Sequence, residues 1–271
     1  MADVARRFGY GETKLRAEQS GKNTSEVNDL ALAFNTMADS LEQSEQRRQE
    51  FIANVSHELK TPMTTIGGYV DGILDGTIPK DNEKHYLQIV SSEVRRLSRL
   101  VRSMLDLSRL QAQGIDESRK TRFDLGDVMS DVLITFEQKI NARGLQVSVD
   151  LPEKPVWTKA DRDAITQVVY NLLDNAIKFC PVGGNLGLIL EQDGQKARLR
   201  IRNTGQTIPP EELPLLFDRF HKADKARSAD REGWGLGLYI AKTIIGAHGG
   251  EIWATSENGV TEFTFTLPAV R

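Results

Sequence analysis

Apolar side chains at Val27, Leu30, Phe34, Met37 and Leu41 recur at alternating steps of three and four. Such spacing marks the seam of a coiled coil, a stripe along one helix that needs a partner to cover it. The same frame continues to Ser44 and Arg48, whose polarity weakens it. A second seam then runs through Ile52, Val55, Leu59, Pro62, Ile66, Tyr69 and Ile73. The first frame makes residue 48 an a position and the second makes residue 52 one. That is an insertion of four residues, which locally unwinds a coiled coil. The pattern predicts one long helix with a phase change near residues 44–52. Asp75, Gly76 and Pro79 mark a turn, and Leu87, Val90, Val94, Leu97, Val101 and Met104 outline a second helix. Two such helices form an antiparallel hairpin with a long uncovered stripe. Pairing two hairpins into a four-helix bundle buries it, so a homodimer is expected. The competing reading is a monomeric hairpin lying on the next domain.

Residues 111–121 are polar and aperiodic and read as a linker. Beyond them the pattern turns to mixed α and β. Gly126 to Ala142, Asp161 to Phe179 and Leu236 to Ala247 read as helices. Leu145 to Leu151 alternates like a half-buried strand. Asn185 to Glu191 pairs with Lys196 to Asn203 around Asp193 and Gly194. Glu251 to Ser256 pairs with Thr261 to Leu267 around Asn258 and Gly259. Hairpin strands with helices on one face predict an α/β two-layer sandwich. The expected fold is therefore multidomain, a dimeric α-helical hairpin bundle followed by this sandwich.

Composition narrows the function classes. The 271 residues carry 35 Lys and Arg against 38 Asp and Glu, a net charge of −3. A chain that is not basic has no general nucleic-acid signature, and no nucleic-acid partner is expected. One cysteine, Cys180, excludes an internal disulfide framework and a multi-cysteine metal cluster. No apolar run approaches the ~20 residues that span a bilayer, and Met1 to Gly11 has no signal-peptide core. The expectation is a soluble, intracellular chain.

Four groups of residues could carry chemistry. His57 falls at position f of the second frame, farthest from the seam and open to water. Glu58 follows it, and Thr61 lies one turn on, on the same face. A carboxylate beside an imidazole can set its tautomer and raise its basicity. Pro62 lacks an N–H for the Glu58 carbonyl and should kink the helix just past the histidine. On the helix predicted over Asp161 to Phe179, Asn171, Asn175 and Lys178 share one face. Amide oxygens and an ammonium suit a hydrated Mg²⁺ and phosphate oxygens. Gly233, Gly235 and Gly237 open the last helix, whose free N–H groups and positive dipole end favour an anion. Upstream, Lys222, Lys225, Arg227 and Arg231 crowd a polar stretch that reads as a mobile basic lid over phosphates. Asn203, Thr204 and Gly205 end a strand, where a polar side chain could meet a base edge.

In this order these segments resemble the sensor histidine kinases of two-component systems, across nearly the whole chain. Phe51 to Pro62 (FIANVSHELKTP) resembles the H-box and Asn171 to Phe179 (NLLDNAIKF) the N-box. Asn203 to Gly205 resembles the G1 box, Phe217 to Phe220 (FDRF) the F-box, and Gly233 to Leu238 (GWGLGL) the G2 box. Phe34 to Leu41 (FNTMADSL) is similar to the second helix of a HAMP relay module. The resemblance implies a partial HAMP at 1–45, a dimerisation and histidine-phosphotransfer hairpin at 46–112, a linker at 113–121, and an ATP-binding domain of the GHKL superfamily at 122–271.

It also implies roles. ATP and Mg²⁺ would bind the C-terminal domain, with Asn175 as metal ligand and Asn171 in support. Lys178 would meet phosphates and Phe179 would pack near the nucleotide. Asn203, Gly205, Phe217, Arg219, Lys222, Lys225, Arg227, Gly233, Gly235, Leu236, Gly237 and Leu238 would complete the nucleotide site. His57 would attack the γ-phosphorus with Glu58 as polarising base. The phosphoryl group would pass to an aspartate of a response-regulator receiver domain, and Thr61 would orient water for the reverse dephosphorylation. Membrane attachment would come only through a sensor part absent from this chain, of which this is the cytoplasmic portion. The sequence departs from the family at G1, where Asp-x-Gly-x-Gly is usual. Asn203 stands for the Asp and Thr207 for the second Gly. Asn203 still accepts through its amide oxygen, though a neutral acceptor is weaker than a charged one. The alternative function is a signalling scaffold or phosphatase with a degenerate ATP domain.

Overall fold

A computed structural model describes residues 2–10, 12–18, 24–113, 116–221 and 234–270. The chain divides into two units, Met1–Glu93 and Val94–Arg271. The boundary falls inside the helix Lys80–Gln113.

In the first unit α2 is a single helix, Ser25–Leu74, that runs unbroken through the phase change and through Pro62. A turn links it to α3, Lys80–Gln113. The turn is built from its own sequence. Asp75 Oδ1 accepts from the Thr77 N–H at 2.9 Å, and the Ile78 N–H donates to Gly72 O at 2.8 Å. Ile78 covers Gly72 so closely that a Cβ there would sit 3.1 Å from its Cδ1. Tyr69 and Tyr86 meet with ring centroids 4.9 Å apart, which fixes the hairpin as antiparallel. Seam residues Leu30, Met37, Leu41, Ile52 and Leu87 are all exposed in the single chain. A helix not anticipated from the pattern, α1 (Ala2–Gly9), precedes them. Phe8 sits edge-on to Phe34 with centroids 5.3 Å apart. Asn35 then clasps the backbone of Ala17, accepting its N–H at 2.8 Å and donating to its carbonyl at 3.0 Å. These anchors are long-range, so local periodicity carries no trace of them.

The second unit holds a five-stranded sheet, order β2-β4-β5-β7-β6, and a two-stranded sheet, β1-β3. The strands are β1 Lys120–Asp124, β2 Gln146–Asp150, β3 Trp157–Asp161, β4 Asn185–Asp193, β5 Lys196–Thr204, β6 Ile252–Glu257 and β7 Val260–Pro268. β2 runs parallel to β4, and every other neighbouring pair is antiparallel. Both predicted hairpins form, closed at Gly194–Gln195 and at Asn258–Gly259. Asn258 and Gly259 take φ of 51° and 75°, the two left-handed residues of a tight hairpin turn. Helices α6 (Arg162–Phe179) and α7 (Gly237–Ala247) supply the helical layer. Ile165, Leu172 and Leu173 of α6 and Ile244 and Ile245 of α7 are buried. Leu186, Leu188, Leu199, Ile201 and Phe265 complete the core from the sheet. Each such side chain contributes about 1.5–3 kcal/mol of burial.

Three sequence readings change. The helix expected over 126–142 is two, α4 (Leu125–Thr135) and α5 (Glu137–Ala142), parted at Phe136. The Phe136 ring is buried against Tyr170, with centroids 4.7 Å apart. The stretch read as a linker stays helical to Gln113, and one 3₁₀ turn, Glu117–Arg119, leads directly into β1. β2 is an edge strand, with Val147 and Val149 at 40% and 46% exposure, rather than half-buried. α3 from Val94 onward groups with this second unit, where Gln167 Nε2 reaches Asp106 Oδ2 at 3.5 Å.

His248 ties the helical layer together. Its Nε2 accepts the Asp161 N–H at 3.0 Å, and its Nδ1 lies 2.9 Å from Ile244 O. The tautomer is thereby Nδ1–H, and the accepting Nε2 has no place for a second proton. Burial, chiefly, and Lys120 push the imidazole below its ordinary value. The Ile244 carbonyl, Asp161 and Glu117 oppose that. A group depressed in the folded state stabilises it at high pH and loses that contribution as pH falls past about 6.5. Urea unfolding should therefore show a lower midpoint at about pH 5.5 than at about pH 7.5, and His248→Gln should flatten that difference. An equal drop in both proteins would contradict the assignment.

Candidate functional site

His57 is exposed on α2, Glu58 beside it is half-buried, and Thr61 is exposed. Thr61 Oγ1 donates back to His57 O at 3.3 Å, leaving its lone pairs outward. Ser56 and Thr65 bond back in the same way to Ile52 O and Thr61 O, at 2.8 and 3.1 Å. The hydroxyls thus occupy carbonyls on both sides of Pro62, the position where the helix lacks one donor.

The second constellation hangs on α6. Asp161 caps it, its Oδ1 accepting from the N–H groups of Asp163 and Ala164 at 3.1 and 3.2 Å. Asn171 and Asn175 lie one turn apart and take different work. Asn171 Nδ2 donates to Gly237 O at 3.1 Å, fastening α6 to the first residue of α7. Asn175, half-buried, makes no hydrogen bond to any described residue. A free amide oxygen is the hard neutral ligand that Mg²⁺ takes beside phosphate, so the residues present fit that ion. Lys178 is half-buried with its Nζ 5.4 Å from the ring centre of Phe179, itself exposed.

Residues after β5 close in beside Phe179. Gly205 lies against its carbonyl, where a Cβ would come within 3.1 Å, and the Gly205 N–H donates to Gly259 O at 2.8 Å. Asn203 is buried, and its Nδ2 donates to Thr204 O at 3.0 Å. A carbonyl only accepts, so the amide cannot turn over and its Oδ1 is kept as an acceptor. Thr207 is used as well: its Oγ1 accepts the Gly259 N–H at 2.9 Å. The departure from glycine thus fastens this loop to the β6–β7 turn.

Phe217 and Arg219 take supporting places. Phe217 ends a 3₁₀ turn, Leu213–Phe217, and is buried edge-on to Phe263, centroids 6.5 Å apart. Its ring packs in the core and holds the segment from beneath. Arg219 stacks 4.6 Å over the Tyr239 ring and donates to its hydroxyl at 2.6 Å. The Phe220 N–H donates to Gly235 O at 2.9 Å. Gly235 has φ of 67°, and a Cβ there would meet Phe220 C and His221 O at 2.7 Å, so no other residue fits. Leu236 is buried, and Gly237 and Leu238 begin α7, whose first N–H groups suit an anion. Lys222, Lys225, Arg227, Arg231 and Gly233, with the basic lid read there, lie outside the described residues.

The family model for the His Kinase A (phospho-acceptor) domain matches residues 47–113. The model for the histidine kinase-, DNA gyrase B-, and HSP90-like ATPase matches residues 160–271. This chain belongs to the sensor histidine kinases. Sensor protein SrrB of Staphylococcus aureus is 38% identical over 226 residues, 83% of this chain and 38% of that protein. The chain therefore spans well under half the length of the curated relatives it matches. Histidine kinase AdeS of Acinetobacter baumannii superposes with a TM-score of 0.65 at 30% identity, over 79% of this chain and 98% of that one. Histidine kinase ThkA, solved in complex with response regulator protein TrrA, gives 0.67 at 27% identity over 85% and 66%. The fold class expected from the sequence is that of these kinases.

Sequence reading missed the residues that hold a histidine-kinase site together by main-chain contacts, among them His248 and Arg143. His248 and Arg143 each stand just past a predicted helix end, where side-chain caps occur, and that is the only sequence signal they give. The Asn171 assignment is testable. Asn171→Asp cannot donate to Gly237 O and sets an oxygen against it, so it should cost about 1–3 kcal/mol, more than Asn171→Ala. Denaturant unfolding of both variants checks this, and equal or smaller loss in the aspartate variant would refute the bond.

Proposed function

We propose that this chain autophosphorylates on His57 from ATP and passes the phosphoryl group to an aspartate of a receiver domain. The observation that carries this is the pairing of an exposed His57, flanked by Glu58, with a C-terminal domain whose Asn175 amide is left free for metal. An imidazole nitrogen of His57 attacks the γ-phosphorus in line. The N–P bond forms as the bond to the β-phosphate oxygen breaks, and ADP leaves. The attacking nitrogen is the unprotonated one, and Glu58 accepts the N–H proton of the other ring nitrogen as the N–P bond forms, so the ring does not end as a cation. Little covalent chemistry remains for the protein, and catalysis rests on positioning and charge neutralisation. Mg²⁺ held by Asn175 would supply part of that neutralisation. Lys178 adds a cation, the first turn of α7 adds N–H donors, and Phe179 and the Asn203 amide oxygen hold the base.

The exposed apolar seam supports a homodimer as the working state. A receiver domain is the phosphoryl acceptor, with Thr61 placed one turn from His57 to orient water for its dephosphorylation. No described helix is long and apolar enough to cross a membrane. A sensor outside this chain would provide membrane attachment and stimulus. Helix α1 and the clasp of Ala17 by Asn35 of α2 support a relay module at this end.

Incubation with Mg²⁺ and γ-labelled ATP should give acid-labile, alkali-stable label on the wild type and none on His57→Gln. Nucleotide binding should survive that substitution, because His57 lies outside residues 160–271, which match the ATPase family model. Label persisting on the variant would exclude His57 as acceptor. Asn175→Asp should slow labelling about 100-fold or more without unfolding the domain, the scale of a lost charge-stabilising group. Undiminished labelling would remove Asn175 from the metal site.

A further inference from the structure

Helix α6 ends in an unusual way for the load placed on it. Its last carbonyls have no intrahelical donors, and helices commonly satisfy theirs with a left-handed glycine. Here the chain leaves α6 extended, with Cys180 at φ −70° and ψ 130°, and Pro181 follows at once. The Cys180 N–H returns to Ala176 O at 3.0 Å. The next carbonyls are met from another element. Arg143, in the turn between α5 and β2, donates Nη1 to Lys178 O at 3.0 Å and Nη2 to Cys180 O at 2.7 Å. Its own carbonyl accepts the Gly183 N–H at 3.0 Å, and the Gln146 N–H donates to Gly184 O at 2.9 Å. The guanidinium therefore grips both sides of the helix end while its backbone holds the loop beyond. Its charge also lies at the negative end of the α6 dipole.

We infer that Arg143 is a positioning residue for the nucleotide: its two-pronged grip fixes the last turn of α6 and with it the reach of Lys178 and Phe179. The inference rests on the proposed roles of those two residues in holding ATP. Arg143 touches neither phosphate nor base and acts only through the main chain. A planar fork makes both bonds at once, whereas the single ammonium of lysine keeps the charge and loses the geometry.

The test measures the ATP concentration for half-maximal His57 labelling and the limiting labelling rate, using the full chain and three variants. Arg143→Lys should raise the half-saturating ATP about tenfold, with the limiting rate changed less than about twofold. Arg143→Ala should do so at least as strongly. Lys178→Ala provides the reference, and the double variant with Arg143→Lys should fall short of the product of the two effects, because both act on one contact. If Lys178→Ala raises the ATP requirement and Arg143→Lys does not, the positioning role is wrong and the nucleotide site stands. If Lys178→Ala changes nothing, the phosphate role fails and this inference fails with it. A fall in limiting rate alone, tracking a lower melting temperature, would reduce Arg143 to a structural cap. Should Arg143→Ala not fold, Arg143→Lys decides.

Discussion

The N–H of Asp161 donates to a buried histidine ring, and the start of α6 depends on that bond. The same residue caps the helix with its carboxylate, so one position joins α6 both to its own first turn and to the end of α7. A second tie, Asn171 to Gly237, joins the middle of α6 to the start of α7. Arg143 holds the far end. The residues proposed to meet nucleotide sit between these fastenings, on a helix whose other faces are in the core. Side chains that must hold a charged ligand to a fraction of an ångström need such a frame. Here it is made from buried polar contacts, which are strong because no water competes for them.

The two departures at the strand end after β5 fit the same logic. Thr207 replaces conformational freedom with a bond to the β6–β7 turn. Asn203 gives up charge, yet the Thr204 carbonyl fixes which end of its amide donates. Both side chains thus make bonds that hold this loop in the fold.

Much of this was legible in the sequence, and the unread remainder has a common cause. The steps of three and four gave α2 and α3, and the Asp161 cap with its apolar run gave α6. Asn258 and Gly259 announced a hairpin because few residues accept left-handed φ. The strands β1 and β3 were missed because they are short and pair with each other across more than thirty residues, from Lys120 opposite Asp161 to Asp124 opposite Trp157. The break at Phe136 was missed because its reason, the Tyr170 ring, lies on another helix. In the site, His57 and Asn175 were singled out because each sits in a local side-chain pattern. The burial of the Phe217 ring was not readable, because the ring it meets, Phe263, lies far along the chain on β7.

The row of bare apolar residues along the first unit has a consequence outside structure. Leu30, Met37, Leu41, Ile52 and Leu87 are exposed in the single chain. In the proposed homodimer a second copy covers them, and the helical hairpin's stability becomes a mass-action quantity, set partly by how much protein is present. Its melting temperature then belongs to a concentration rather than to the sequence, and a cell that changes the copy number of the chain also changes how firmly the histidine-bearing helix is folded.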